Sequence, residues 1–252
     1  MRLIYMAKKV RKATVLSTQQ ITPHLQRIVL GSEEFTDLTS DHIGSYVKVL
    51  IPKNGVADFN LKTACMRSYT IQNVNKSNGA ITLDFVINMH QGPATNWAKA
   101  AQVGDELAIA GPGPKKLDNF THPHYILMGD LTSVNAIKGY IKQLPINAKI
   151  DAFIHAPTDA DIISLDTTRQ VTWLITTTPE VEMANALTTL QHYEQPPIVF
   201  MALEAGLVRE LKAALTNTHS IPRGNIVASG YWKKGLNSEN YKLERQANKQ
   251  TA

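Results

Sequence analysis

The chain has 252 residues, a formal net charge of +5 and a hydrophobic fraction of 43%, which is enough for one large domain or two smaller ones. Its longest apolar runs, such as 197–203, are far shorter than the roughly 20 residues that a membrane span needs, and one cysteine, Cys65, excludes an internal disulfide and a multi-cysteine metal site. The charge is dispersed in short lysine pairs, with no basic stripe and no zinc-finger spacing. This pattern disfavours nucleic acid and suits an anionic small molecule or an acidic protein.

The first residues contain neither the apolar core nor the cleavage-site pattern of a signal peptide. We therefore expect a cytoplasmic protein without a membrane segment, and we expect a monomer.

The first half of the chain is typical of short strands separated by turn-forming residues. The predicted strands are 13–17, 25–30, 46–52, 67–74, 80–88 and 106–110, and one short helix is predicted over 95–101. Several short strands at this spacing predict a closed antiparallel barrel of six strands.

The second half alternates between apolar strands and helices. Strands are predicted at 125–128, 149–155, 171–176, 198–202 and 225–229, with helices at 134–144, 181–192 and 207–215. Such alternation predicts a parallel sheet covered by helices on both faces. The expected domains are a barrel at 1–120 and an α/β domain at 121–236, followed by a polar tail or helix at 237–252.

The segment Arg67-Ser68-Tyr69-Thr70 carries the first functional signal. On a strand, Arg67 and Tyr69 point to one side, so a guanidinium and an aromatic ring are presented together. Arginine suits a pyrophosphate, the ring suits a planar group, and Thr70 offers a hydroxyl next to them. These residues indicate a flavin site, although alone they also fit an ordinary barrel strand with an exposed arginine.

The second signal lies about twenty residues later, at His90-Gln91-Gly92-Pro93-Ala94. Gly92 allows a sharp turn, and Pro93 favours the first position of a helix. The N–H groups of Ala94, Thr95 and Asn96 would then face an anion, aided by the helix dipole. His90 could stack on an adenine or contact the cofactor, and it also fits a hydrogen-bonded structural histidine.

Taken in order, these segments resemble the siderophore-interacting protein family, the FAD-dependent ferric-siderophore reductases of the ferredoxin-reductase-like superfamily. The matching segments are 67–70, 90–98, 104–105, 111–113, 129–137, 202–206 with Arg209, and 230–235. The likeness covers nearly the whole chain and keeps order and spacing, so it is more specific than any one motif.

The resemblance implies a cofactor site in the barrel and a nucleotide site in the second domain. FAD would be bound by Arg67, Ser68, Tyr69, Thr70, Asp84, Val86, His90, Gly92, Pro93, Ala94, Thr95 and Trp232. A nicotinamide donor, NADH or NADPH, would be bound by Gly129, Asp130, Thr132, Glu204 and Ala205. The flavin carries the electrons, so no catalytic side chain and no protein-bound metal are expected.

The resemblance also implies an iron–siderophore substrate held by basic residues at the flavin edge. By position, Lys48, Lys115 and Lys233 are the candidates, and each also fits a solvated surface charge. An anionic ferric siderophore would be attracted by such lysines.

Two positions depart from the family pattern. Leu203 stands where relatives commonly have glycine, so a bulky side chain could narrow the approach of the nicotinamide. Gln72 stands where a second arginine often follows the Tyr-Thr pair, so one contact to the pyrophosphate or adenine would be lost or moved.

The electron donor is the least defined part. The chain lacks the full G-x-G-x-x-G fingerprint, and Asp159 and Asp161 follow a predicted strand, where acidic groups would repel a 2′-phosphate. We therefore expect NADH rather than NADPH, with ferredoxin as a further possible donor. The predicted function is a ferric-siderophore reductase. The alternative is a flavin-dependent electron-transfer or flavin reductase module that serves a protein partner such as ferredoxin.

Overall fold

The computed structural model describes residues 9–52, 56–57, 59–190 and 193–235. The chain forms two compact units, of which the first ends at Lys115 and the second begins at Lys116 and also includes Thr22–Leu25. The expected tail at 237–252 lies outside the described residues.

The first unit is a closed six-stranded barrel with the strand order β1-β2-β5-β4-β3-β6. Its strands are β1 (Val10–Thr22), β2 (Leu25–Gly31), β3 (Tyr46–Ile51), β4 (Cys65–Asn75), β5 (Ala80–Val86) and β6 (Glu106–Gly113). Antiparallel pairing of β1 with β6 closes the barrel. The antiparallel barrel predicted from the turn spacing is therefore confirmed.

Alternating residues fill the barrel interior, as the period of two in a strand requires. Val47, Val49, Leu83 and Phe85 belong to one buried cluster of the first unit. The helix α1 (Pro93–Ala100) buries Ala94 and Ala98 in the same cluster. It begins two residues earlier than expected because proline is favoured in the first helical turn.

The strand β1 is much longer than the predicted 13–17. Residues 18–22 contain a single apolar side chain, that of Ile21, so they give no alternating signal. They nevertheless belong to the strand, and Thr18 accepts a hydrogen bond from the side chain of Gln26 on β2. Backbone pairing here does not depend on a buried face.

The second unit is a parallel sheet of five strands in the order β11-β10-β7-β8-β9. Its elements are β7 (His124–Asp130), α2 (Val134–Ile141), β8 (Lys149–Ala156), β9 (Thr172–Ile175), α3 (Pro179–Thr188), β10 (Ile198–Glu204), α4 (Ala205–Asn217) and β11 (Ile226–Trp232). All four strand pairs are parallel, as predicted.

Helices cover both faces of this sheet. Tyr125 and Leu127 of β7 share a buried cluster with residues of α2, whereas Ile126 and Met128 share another with residues of α3 and α4. Strands buried on both faces read as continuous apolar runs, which explains why they were recognisable in the sequence. The carboxyl ends of β7, β10 and β11 lie side by side, where α/β sheets bind ligands.

Candidate functional site

An aromatic row joins the two segments that carry the flavin signal. The Tyr69 ring of β4 lies 4.0 Å from the Phe85 ring of β5, and Phe85 lies 5.5 Å from Trp97 of α1, measured between centroids. The Thr95 hydroxyl donates to the carbonyl of Val86 at 3.3 Å, which fixes the first turn of α1 at the end of β5. The structure therefore brings Tyr69 and the start of α1 into one region of the barrel.

The alternation predicted for β4 holds. Arg67 and Tyr69 pair with Val49 and Val47, whereas Ser68 and Thr70 pair with Lys48 and Tyr46. Opposed residues in an antiparallel pair point to the same face, so Arg67 and Tyr69 share one face of β4 and Ser68 and Thr70 the other.

Arg67 and Tyr69 are both half-buried. Arg67 Nη1 donates to the carbonyl of Met66 at 2.9 Å. Burial raises the pKa of the Tyr69 phenol above its ordinary value, although the charge of Arg67 opposes the rise. Tyr69 is thus a neutral ring near a fixed positive charge, which fits a planar cofactor with an anionic tail.

Asp84 has a structural partner that the sequence did not reveal. Arg27 Nε and Nη2 each donate to one carboxylate oxygen of Asp84 at 2.8 Å, and the Asp84 side chain is 1% exposed. This bidentate pair joins β2 to β5 on the strand faces opposite the barrel core that Ile28, Leu83 and Phe85 fill. A cofactor contact by the Asp84 side chain would have to share oxygens that already accept from Arg27.

Gly92 provides the clearest test of whether this region fits a cofactor. Its φ is 172°, an extended conformation that any residue adopts, so backbone strain does not require glycine here. Apart from its two chain neighbours, no described residue has an atom within 4 Å of a Cβ added at Gly92. Neither backbone strain nor crowding by the described residues therefore requires glycine at the N-cap of α1. A ligand that approaches this backbone closely would give one, and the N–H groups of the first helical turn suit its phosphates.

His90 lies in the exposed segment between β5 and α1, two residues before Gly92. Asn88, two residues earlier, has a positive φ of 60°, so the chain turns sharply there. Gln72 is the extra residue of a bulge, because Ile71 pairs with Leu83 and Asn73 with Thr82. Its departure from the family pattern thus falls where the strand leaves regular pairing.

Two of the three lysines expected to contact the substrate, Lys48 and Lys115, lie in the first unit. Lys48 Nζ donates to Ser68 Oγ and lies 5.6 Å from the centroid of the Tyr46 ring. That ring rests on Gly113, where an added Cβ would be 2.2 Å from Tyr46 Cζ. Burial lowers the pKa of Lys115, two residues beyond Gly113, and the charge of Asp41 opposes the shift. Lys233 follows β11 in the second unit.

In the second unit, Asp130 and Trp232 meet at the carboxyl edge of the sheet. Trp232 Nε1 donates to Asp130 Oδ2 at 2.8 Å, and the Thr132 N–H donates to Asp130 Oδ1 at 2.8 Å. Burial raises the pKa of the Asp130 carboxyl, and these hydrogen bonds oppose the rise. Trp232, expected beside FAD, is thus bonded to a residue expected beside the nicotinamide.

The Glu204 carboxylate also accepts hydrogen bonds within the second unit. Its Oε2 accepts from the Leu207 N–H at 2.9 Å and caps α4, which begins at Ala205, while its Oε1 accepts from the Lys234 N–H at 3.1 Å. Both expected nicotinamide carboxylates therefore hold the segment that ends β11, and a nucleotide would have to share or displace these bonds.

Gly129 and Leu203 have packing roles. A Cβ on Gly129 would be 2.3 Å from Ser133 Oγ and 2.5 Å from Ile137 Cδ1, so glycine allows α2 to approach β7. Leu203 is 1% exposed and belongs to the core cluster that includes Val208. The expectation that its side chain narrows the approach of a nicotinamide is therefore not supported, because the side chain faces the core.

Of Asp159 and Asp161, the two carboxylates expected to repel a 2′-phosphate, one already has partners inside the protein. Asp161 is fully buried, and His24 Nδ1 lies 2.7 Å from its Oδ2, while Thr158 donates to the same oxygen. Of the two carboxylates, Asp159 is the one left to act on a nucleotide phosphate.

Within the described ranges, no group of three or more His, Cys, Asp or Glu side chains could hold a metal ion. In that same part of the chain, no helix has the length and apolar character needed to cross a membrane.

Comparison with known proteins follows the two units. Residues 14–116 match, in two overlapping segments, the model described as "Siderophore-interacting FAD-binding domain". Residues 122–235 match the model "Siderophore-interacting protein".

Named relatives agree with these models. The ferric vibriobactin reductase ViuB of Vibrio cholerae is 27% identical over 248 residues, covering 89% of this chain and 90% of the relative. A ferric acinetobactin reductase of Acinetobacter baumannii is 28% identical over 179 residues, covering 68% of this chain and 62% of the relative. The crystal structure of the siderophore-interacting protein SipS from Aeromonas hydrophila superposes with a TM-score of 0.84 at 28% identity, covering 96% of this chain and 99% of that one.

Proposed function

Because this chain belongs to the siderophore-interacting protein family, we propose that it is an FAD-dependent ferric-siderophore reductase. The reaction would take electrons from NAD(P)H, through FAD, to a ferric siderophore and release ferrous iron. The observation that carries the proposal is Gly92 at the start of α1, where the protein offers open backbone next to the Tyr69–Phe85–Trp97 row. The names of the relatives support the substrate class.

FAD, when bound, would accept two electrons as a hydride and pass them on singly, which iron requires. The protein's own part is binding and orientation. We assign to Arg67 the pyrophosphate, because its planar guanidinium binds such oxygens in a fork. Tyr69 would pack against the ring, and its position is already fixed by Phe85.

The start of α1 would take the phosphates of the cofactor. Its first-turn N–H groups, those of Ala94 and Thr95, have no partners within the helix, and the helix dipole favours an anion there. The Asn96 N–H, expected to join them, donates instead to the Gly92 carbonyl at 2.9 Å. Backbone groups near Val86, together with Thr70, Ser68 and His90, remain the proposed contacts to the rest of the cofactor.

The substrate would be held by charge. Ferric iron binds hard, anionic oxygen ligands much more tightly than ferrous iron does, so one-electron reduction loosens the chelate. Lys48 is oriented by Ser68 and by the Tyr46 ring, so it would present its ammonium group with little loss of side-chain freedom. Lys115 and Lys233 are proposed as further positive contacts.

The donor is proposed to bind at the carboxyl edge of the second sheet, around Gly129, Asp130, Thr132, Glu204 and Ala205. NADH is favoured on the remaining charge of Asp159, and ferredoxin is the competing donor. A direct comparison of NADH, NADPH and reduced ferredoxin as reductants of the FAD-loaded protein decides between them. Reduction by NADPH at the rate seen with NADH would reject the preference.

The experiment for the substrate site is turnover under anaerobic conditions with a ferrous-iron chelator. We expect Lys48→Glu to reduce the rate about tenfold or more at low ferric-siderophore concentration, since it replaces attraction by repulsion, with the FAD content unchanged. Lys76→Glu, an exposed lysine on a turn of the same unit, is the matched control. Equal rates for wild type and Lys48→Glu would reject the role of Lys48. If ferredoxin were reduced or oxidised and no siderophore reacted, the alternative of an electron-transfer module would replace the proposal.

A further inference from the structure

A basic cavity lies on the outer face of α4, in the second unit. It has a volume of about 240 Å³ and is lined by Arg209, Lys212, Ala213, Thr216, Asn217 and Arg223. The first five lie on α4 or at its end, and Arg223 comes from the short 3₁₀ turn that leads into β11.

The helix pattern explains why these cations line one surface. Leu207, Val208, Leu211 and Leu215 are the buried residues of α4. Arg209, Lys212 and Thr216 are spaced three and four residues apart, so they form a stripe on another face of the same helix. Arg223 adds a third positive charge from outside the helix.

The three cations have no competing partners nearby. Among the residues that the structure describes, the side chains of Arg209, Lys212 and Arg223 form no ion pair and no hydrogen bond. The lining contains no carboxylate, and Glu210 of the same helix is not part of it. Three positive charges around one cavity repel each other and create a local field that attracts an anion.

The chemistry of the lining selects the kind of anion. Guanidinium groups bind phosphate oxygens through paired N–H donors, and lysine adds a point charge. Since a water molecule takes up roughly 30 Å³ in the liquid, the cavity has room for an anion of several heavy atoms. The Asn217 amide offers a further donor beside the charges.

The cavity is separate from the proposed donor site. α4 begins at Ala205, directly after Glu204 at the carboxyl edge of the sheet, and ends at Asn217. Arg223 precedes the first residue of β11, so it lies towards the amino end of that strand, whereas Trp232 ends it. We propose that this cavity is a second anion site that binds a small phosphate-bearing molecule, independently of siderophore reduction.

The test is calorimetric titration of the FAD-saturated full-length protein with inorganic pyrophosphate and, in parallel, with inorganic phosphate, at about 0.1 M salt, where exposed charges are only partly screened. We expect saturable binding of one pyrophosphate, with phosphate weaker. Arg209→Gln and Arg223→Gln should each weaken binding about tenfold, because each removes one charge-assisted contact. Lys76→Gln, which removes an equally exposed charge elsewhere, should change the affinity less than twofold.

Two results would overturn the proposal. The first is the absence of saturable binding of either anion. The second is binding that is equal in wild type, Arg209→Gln and Arg223→Gln, which would place the anion elsewhere. All three substitutions are at exposed positions, so they leave the fold intact, and thermal unfolding without added anion checks this. Because no redox reaction is measured, failure here leaves the reductase proposal untouched.

Discussion

Replacement of Gly92 by serine separates cofactor binding from folding. Gly92 is the N-cap of α1 with a φ of 172°, and in the described part of the chain no residue beyond its two neighbours lies within 4 Å of a Cβ there. Serine can adopt this conformation, and it is a better N-cap than glycine by a few tenths of a kcal/mol. Serine also lowers the conformational entropy of the unfolded chain. For replacement of glycine by alanine, this effect raises the free energy of unfolding by about 0.4–1 kcal/mol, and we expect the same for serine. The free energy of unfolding of Gly92→Ser should therefore equal or slightly exceed that of wild type.

FAD affinity should change in the opposite direction. If phosphates of the cofactor rest on the N–H groups after Gly92, the added Cβ and hydroxyl occupy the space of the closest approach. Weakening one or two hydrogen bonds to a charged group costs about 1.5–3 kcal/mol, which is roughly a 10- to 100-fold rise in the FAD dissociation constant.

The assay is fluorescence titration of FAD into apoprotein, with urea unfolding of the same samples. Gly224→Ala is the matched control, because an added Cβ there also lies more than 4 Å from every described residue except its chain neighbours, and the position is far along the chain from the barrel. An FAD dissociation constant for Gly92→Ser within twofold of wild type, at equal stability, would refute the reasoning.

Three further predictions concern the fold around the sites. Arg27→Met should destabilise the barrel by about 2 kcal/mol, because it removes the bidentate partner of the Asp84 carboxylate, which is 1% exposed. This is less than the roughly 3–5 kcal/mol for a fully buried pair, because Arg27 is partly solvated. Hydrogen exchange of β4 and β5 measures the change, and unchanged exchange would contradict it. Gly129→Ala should destabilise the second unit by about 1–3 kcal/mol through crowding against α2, and a melting temperature equal to wild type would count against the packing role. The Lys138 ammonium holds the pKa of Asp166 at about 2, so the stability from this pair is present above the ordinary value of 3.8 and is lost as the pH falls towards 2. Lys138→Gln should move the NMR titration of Asp166 upward, and an unmoved midpoint would contradict the assignment.

Local patterns predicted the elements that carry the site. The two-residue period of a strand was enough to place Arg67 and Tyr69 on one face of β4, and proline after glycine was enough to place the start of α1 near Gly92. Both features depend on neighbours in sequence, so a single sequence contains them.

Long-range pairs were not predictable in this way. Asp84 meets Arg27 across 57 positions, and Asp130 meets Trp232 across 102. Such contacts depend on the order of strands in the barrel and the sheet, and no local period encodes which polar residues will face each other. The burial of Leu203 likewise depends on residues far along the chain, because its core cluster includes Ile126 and Met128 of β7.

The most direct test of the proposed reductase is an anaerobic titration of the fully reduced, FAD-loaded protein with a ferric siderophore in the presence of a ferrous-iron chelator. The account predicts that the flavin absorbance returns and that about two ferrous ions are trapped for each flavin reoxidised, because each iron takes one electron. Flavin that stays reduced in the presence of excess ferric siderophore, or that is reoxidised without trapped ferrous iron, would contradict it.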